Sequence, residues 1–222
     1  MTPQVAQAVC IGFLVVGVAV WLYMYRLISR IGGGGGAGAG ELAYRDDARD
    51  EPGAVISGSA DIPGTAEEVS TKIAEMIASG VANMPVKITE RNEERLRFEP
   101  VGPAPQGRFF DEAEFTFSPS SSASGHTRVA YRVDMSRFAG KLRAWGKGLL
   151  FLIGLPGAVV LPVMLLIFVA PYPDPGARWQ VMQCLQMVHG LWPPILFHVV
   201  FRRARRMVAS AVDAQLSNLE HM

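Results

Sequence analysis

Four polar side chains recur at three-residue steps inside an apolar stretch of the chain: Gln180, Gln183, Gln186 and His189, with His198 further on. Histidine can ligate a metal or a haem, or relay protons. A haem on His189 or His198 needs a second ligand close by, and the other two apolar stretches contain no histidine. A proton relay in lipid ordinarily also uses Asp or Glu, and residues 179–201 contain neither. Hydrogen bonding between helices accounts for Gln183, Gln186, His189 and His198 with no added group, at about 0.6–2 kcal/mol per contact. The stripe therefore reads as a face turned to protein, either a second copy of this chain or a membrane-protein partner. No cofactor is expected.

The other candidate chemistries are thinner. Asp111, Glu112 and Glu114 lie close together, but alternation along a strand turns at least two of them to water. His126 follows a serine-rich loop, yet no nucleophile motif such as GxSxG frames it. The run "IGGGGGAGAGEL" lacks the Lys and hydroxyl of a phosphate-cradling loop and reads as a tether. No HExxH and no cluster with metal-ligand spacing occurs. Between Glu41 and Arg137 acidic side chains outnumber basic ones, which argues against nucleic acid as a partner. The expectation is no catalytic residue and no metal site.

The elements that must position these groups begin with three apolar stretches, residues 5–25, 148–170 and 179–201. Each reaches the roughly 20 residues that a helix needs to cross a hydrocarbon core. Arg26, Arg30, Lys141, Arg143, Lys147, Arg202, Arg203, Arg205 and Arg206 then fall on one side, and Arg178 alone on the other. Positive residues stay inside. The expected topology is a bacterial-type inner-membrane protein with its N-terminus outside and its soluble domain and C-terminus cytoplasmic. The first stretch lacks the basic start and small-residue cleavage site of a signal peptide and reads as a retained anchor. Pro193 and Pro194 are expected to kink the third span, and Pro156, Gly157 and Pro162 to bend the second. Ala8 and Gly12 are expected to let the first span pack closely. Cys10 and Cys184, the two cysteines, read as packed thiols rather than a disulfide.

Between the first two apolar stretches lies the pattern of a small α+β domain. "AVISGSAD" reads as a strand, and Thr65 and Glu68 form a capping box for a helix with Val69, Ile73, Met76 and Ile77 on one side. Gly80 ends that helix. "PVKITER" and "RLRFEP" alternate with period two about the turn Asn92-Glu93-Glu94. "GRFFDEAEFTFSP" adds Phe109, Ala113, Phe115 and Phe117 to the apolar side, through a bulge near Asp111. "TRVAYRVDM" places Val129, Tyr131, Val133 and Met135 on that side and Arg128, Arg132 and Asp134 on the other. One helix cannot cover about five strands. Val208, Val212, Leu216 and Leu219, at helical spacing near the C-terminus, offer a second cover. Docking of that helix on the sheet and docking on the membrane both stay open.

The order strand, helix opened by "PGTAEEV", antiparallel meander ending in "HTRVAYRVDM", then an amphipathic C-terminal helix, resembles the START-like superfamily (polyketide cyclase/lipid transport, SRPBCC). The resemblance covers residues 54–136 and rests on no catalytic motif. It implies a helix-grip sheet around an apolar cavity, here lined by Phe98, Phe115, Phe117, Val129, Tyr131 and Val133. The family usually has six or seven strands, and a hydrophobic hairpin here precedes the final helix. The organisation expected is an anchor at 1–30, a linker at 31–53, the START-like domain at 54–137, a basic interfacial segment at 138–147, a transmembrane hairpin at 148–201 and an amphipathic helix at 202–222. The fold class is thus α+β, a small antiparallel sheet with an N-terminal helix, plus three transmembrane helices. The function expected is non-enzymatic binding of a hydrophobic small molecule or membrane lipid. The alternative is an accessory subunit assembled through the third span, and a third class is an enzyme acting on a lipid-soluble substrate.

Overall fold

A computed structural model of the protein describes residues 3–33, 53–78, 80–81, 84–102, 109–121, 124–168 and 192–220. The chain divides into two compact units, one of Met1–Arg30 with Leu142–Val200 and one of Ile31–Lys141 with Phe201–Met222.

The second unit holds a five-stranded, wholly antiparallel sheet. Its strands are β1 (Val55–Pro63), β2 (Val86–Arg91), β3 (Arg95–Pro100), β4 (Glu112–Pro119) and β5 (His126–Asp134), in the order β1-β5-β4-β3-β2. Helix α1 (Pro3–Ser29) precedes the sheet, and α2 (Ala66–Ala78) follows β1. The capping box forms: the Thr65 N–H donates to Glu68 Oε2 at 3.0 Å, and the Glu68 N–H to Thr65 Oγ1 at 3.3 Å. The Thr65 backbone N–H, and after it the Thr65 hydroxyl, hold the Glu68 carboxyl below its ordinary pKa. Gly80 closes the helix end at φ 107°, a left-handed conformation that favours glycine, with its N–H on the Ile77 carbonyl. Asn92 organises the β2–β3 turn, its Oδ1 accepting the N–H groups of Glu94 and Arg95.

Alternation sets the two sides of the sheet. Leu96 and Phe98 on β3, Ala113, Phe115 and Phe117 on β4, and Val129, Tyr131 and Val133 on β5 are all buried. A register shift falls in β2, between Ile88 and Glu90. Just before β4 the Asp111 N–H donates to the carbonyl of Asp134, the register partner of Glu112, so two residues face one at the place where a bulge was expected. β4 starts only at Glu112, and Phe110 rather than Phe109 is the fully buried side chain before it. Asp111 turns aside to serve a helix, described below.

Helix α3 (Ser136–Leu149) follows β5 directly and runs on through π-helical turns at Leu150–Gly154 and Pro156–Val160 into α4 (Leu161–Phe168). The basic segment expected at 138–147 is thus the opening of one long helix. The last described helix, α5, covers Pro193–Glu220 without a break. Pro193 and Pro194 open α5, where a missing N–H costs least; the span they were expected to kink lies, before Trp192, outside the described residues. The boundary expected at residue 202 lies inside this helix.

Among the described residues two helices are long and apolar enough to cross a membrane, Gln7–Ser29 and Ser136–Ile167. The third expected span is not among them. Most of residues 179–201, Cys184 included, lies outside the described residues, and the described remainder is the start of α5.

In the first unit α1 packs on the second candidate span. Trp21 stacks on Tyr25, Phe151 meets both rings edge-on, and the Trp21 indole N–H donates to the Leu150 carbonyl at 3.2 Å. The Lys147 ammonium sits 5.1 Å over the Tyr25 ring. Buried Cys10 packs against Leu165 and Leu166. The close approach is at Gly17, where a Cβ would lie 2.5 Å from the Ala158 carbonyl oxygen. Pro162 has no N–H to offer that oxygen, so the π-helical turns and the bare Gly17 backbone occupy its surroundings instead. At Gly12, which with Ala8 was expected to permit close packing, an added Cβ would meet no described residue within 4 Å.

Candidate functional site

All six side chains expected to line an interior lie on one side of the sheet and are buried. Phe98 stacks on Phe115 at 5.8 Å between ring centroids, meets Phe110 edge-on at 5.9 Å, and Phe115 lies 6.1 Å from Tyr131. Pairing across the ladder makes the row: Phe98 opposes Ala113, Phe115 opposes Tyr131, and Phe117 opposes Val129.

Helix α2 covers the β2, β3 and β4 part of this side, burying Val69, Ile73 and Ile77. The C-terminal part of α5 supplies the other cover, with Val208, Val212, Leu216 and Leu219 buried. Two polar ties fix it there. Tyr131 donates its hydroxyl to Asp213 Oδ1 at 2.8 Å, and Gln215 donates from Nε2 to the Gly80 carbonyl at 3.3 Å. The Tyr131 ring reaches α5 by lying across β1 at Gly58, its register partner; a Cβ there would come within 2.7 Å of the ring. Thr127, buried at the start of β5, donates to the Gly64 carbonyl and pins the β1–α2 turn.

Sequence reasoning found the six apolar positions and missed Gly58, Asp213, Gln215 and Phe110. An isolated glycine within a strand is a signal of close approach, and Gly58 carried it. Asp213 and Gln215 gave none, because at helical spacing they read as the wet side of α5.

The opposite side of the sheet is polar. Arg95 pairs with Glu114 at 2.7 Å, and Arg97 with Glu112 at 2.8 Å and Glu114 at 3.6 Å. These carboxylates belong to cross-strand ion pairs, each exposed enough to contribute little to stability. His126 Nδ1 lies 3.4 Å from the Ser124 carbonyl oxygen, a contact with serine backbone.

Asp111 does something else. Its Oδ2 accepts the Arg137 N–H at 2.6 Å, and Asp134 Oδ1 accepts the Ser136 N–H at 2.8 Å, so two carboxylates satisfy the free amides at the start of α3. Burial pushes the Asp111 carboxyl above its ordinary pKa of 3.8 and the Asp134 charge adds to this, against the lowering effects of the Arg137 amide and of the Arg137 and Lys141 charges. A raised acid contributes stability that is complete below pH 3.8 and is lost as pH rises through the folded-state value. Asp111→Asn keeps an acceptor for the Arg137 amide and removes the titration. The variant is expected to gain stability relative to the parent chain as pH rises toward neutral. Thermal unfolding midpoints of both chains across that range check this, and parallel profiles would refute it.

Of the polar stripe, Gln183, Gln186 and His189 lie outside the described residues, and His198 is half-buried on α5. Among the described residues no group of three or more His, Cys, Asp or Glu side chains could hold a metal ion.

No family model matches the chain, and no curated protein matches it. Solved structures that resemble parts of it include a Deinococcus radiodurans protein, 14% identical over 40% of this chain and 89% of that one, with a TM-score of 0.29. A Thermobifida fusca protein is 19% identical over 51% of this chain and 95% of its own, at a TM-score of 0.28. A Thermus thermophilus protein is 18% identical over 48% and 97% respectively, at 0.25. Likenesses this weak carry no argument about function.

Proposed function

We propose that the protein is a membrane-anchored START-like domain that binds an apolar small molecule or a lipid between its sheet and its C-terminal helix, without catalysing a reaction on it. The observation that supports this most is the placement of α5 over the aromatic side of an antiparallel sheet, held by hydrogen bonds from Tyr131 to Asp213 and from Gln215 to the Gly80 carbonyl. Such an interior offers area to a hydrophobic ligand and polar groups to orient it. The anchor is the pair of apolar helices Gln7–Ser29 and Ser136–Ile167. Arg26, Arg30, Lys141, Arg143 and Lys147 lie in or beside the ends of these helices nearest the sheet domain in the sequence, which favours a cytoplasmic location for that domain.

Native mass spectrometry of the gently solubilised full chain tests the reading. A molecule of constant mass is expected to co-purify at one per chain. Val129→Trp, which adds bulk on the interior side of β5, is expected to lower its occupancy at least about tenfold, since overfilling a packed site costs on the order of 1–3 kcal/mol. A chain free of any bound molecule, or an occupancy indifferent to Val129→Trp, would overturn it.

A further inference from the structure

The two apolar helices of the first unit carry uncharged runs of equal length, residues 5–25 and residues 148–168, of 21 residues each. At about 1.5 Å per residue either run spans roughly 30 Å, the thickness of a hydrocarbon core. The helices meet where those runs end. The Lys147 ammonium lies 5.1 Å over the Tyr25 ring, and a Cβ on Gly146 would come 3.2 Å from Ile28. Two runs that match the hydrocarbon separately thus end at one level, the boundary between hydrocarbon and headgroups.

One stripe of the second helix crosses that level. Arg143, Lys147 and Phe151 stand four residues apart along one side of it. Arg143 and Lys147 are half-buried, and Phe151 is 48% exposed. Phe151 meets Trp21 and Tyr25 edge-on at 5.3 and 6.2 Å, and the Trp21 N–H is committed to the Leu150 carbonyl. These rings form a fixed wall one turn below Lys147. Among the described residues no carboxylate pairs with Arg143 or Lys147. Met1–Arg30 contains no acidic residue, and Leu142–Val200 contains only Asp174, six residues past the other end of the uncharged run. Arg26 and Arg30 are exposed, and helical spacing puts them on the side of α1 away from Trp21 and Ile28.

We infer that Arg143 and Lys147 bind the phosphate of an anionic glycerophospholipid whose acyl chain lies along Phe151. Cations four residues apart on a helix repel each other, and a phosphate between them removes that cost. The Arg143 guanidinium can meet two phosphate oxygens at once, with Lys147 as a point charge beside it. Basic groups between membrane helices at the cytoplasmic boundary are suited to acidic headgroups. A lipid matches the stripe from end to end, phosphate against the cations and hydrocarbon against Phe151, whereas soluble phosphate matches only its outer part. A zwitterionic headgroup brings a cation of its own to the same place, and Arg143 and Lys147 repel it. The inference rests on the anchoring half of the proposed function, that both helices cross a membrane, and is independent of the ligand proposed for the sheet interior.

An alkaline carbonate wash of membranes holding the full chain tests the premise. The chain should stay with the membranes, and its release would overturn the anchor and this site together. The site itself is tested on the full chain delipidated in neutral detergent and titrated with phosphatidylglycerol or phosphatidylcholine, with bound lipid counted by native mass spectrometry. Phosphatidylglycerol is expected to bind and phosphatidylcholine to be lost. Arg143→Gln with Lys147→Gln should weaken phosphatidylglycerol about twenty-fivefold, since each cation near an anionic surface contributes about a fivefold factor. Arg143→Lys with Lys147→Arg keeps both charges and should keep most of the binding. Arg26→Gln with Arg30→Gln removes the same charge at the same level and should cost far less. Val129→Trp, in the sheet interior, should leave phosphatidylglycerol in place, and glycerol phosphate at millimolar concentration should fail to displace it. Four results would overturn the site and leave the anchor standing: equal binding of the two lipids, an equal loss in the Arg26/Arg30 variant, a loss in Val129→Trp, or displacement by glycerol phosphate.

Discussion

Phe98→Ala is expected to raise hydrogen exchange at the backbone amides of β3, β4 and β5 by roughly two to three orders of magnitude. Phe98 is fully buried and touches two other rings, Phe110 and Phe115, both of them nearly or fully buried. Truncating such a side chain removes its transfer free energy and leaves a cavity, together costing about 3–5 kcal/mol. Collapse cannot fill the space cheaply, because Phe98 sits on a strand with neighbours on both sides and its rings are held in place by the pairing of β3 with β4. A domain of this size has about 5–15 kcal/mol in total, so the loss is a large share. Deuterium uptake by the full chain in detergent reads it directly, since the most protected amides exchange through global opening. Phe109→Ala is the control: Phe109 is only half-buried and leans on Phe138, so its removal should leave β4 and β5 protected. Equal protection in Phe98→Ala and the parent chain would show that the aromatic row does not hold the sheet.

The contrast between Phe98 and Phe109 also marks what could be read from sequence. Period-two alternation placed Leu96, Phe98, Phe115, Val129, Tyr131 and Val133 on one side because a strand offers its side chains only two directions. The capping box at Thr65 and Glu68 and the turn at Asn92 were legible for the same reason, as local chemistry with one good geometry. Phe109 was misread because Asp111 and Glu112 both stand opposite Asp134, which shifts the alternation so that Phe110 is buried on the side of Ala113. Helix α3 was hidden by its composition: Arg137, Lys141, Arg143 and Lys147 mark a membrane-flanking segment whether or not it is helical. In α5, Pro193 and Pro194 are equally compatible with a kink and with a first turn, and sequence alone does not choose. The close approach of α1 depended on where two helices cross. Gly12 and Gly17 are alike in sequence, and only Gly17 meets a carbonyl.

Gly58→Ala is expected to destabilise the sheet unit by about 1–3 kcal/mol, the usual cost of forcing an atom into a filled space. A single methyl group does this because it would stand 2.7 Å from the Tyr131 ring and hydroxyl oxygen. Tyr131 cannot simply move off, since its ring is packed beside Phe115 and its hydroxyl is held by Asp213 on α5. Displacing the ring therefore strains the contact between sheet and C-terminal helix as well as the β1–β5 pair. Elsewhere in a strand the same substitution would help, because alanine lowers the entropy of the unfolded chain by roughly 0.4–1 kcal/mol relative to glycine. The sign of the effect thus reports the ring. In a Tyr131→Ala background the clash is gone, and Gly58→Ala is expected to become neutral or stabilising, even though Tyr131→Ala itself costs several kcal/mol by losing a buried ring. The double-mutant cycle should show a coupling of at least about 1 kcal/mol between the two positions, as contacting residues commonly do. Urea unfolding of the four chains, followed by exchange at β1, β5 and α5 peptides, measures it. Additive effects would mean that the ring does not occupy the space over Gly58, and the polar tie from β5 to α5 would then need another route.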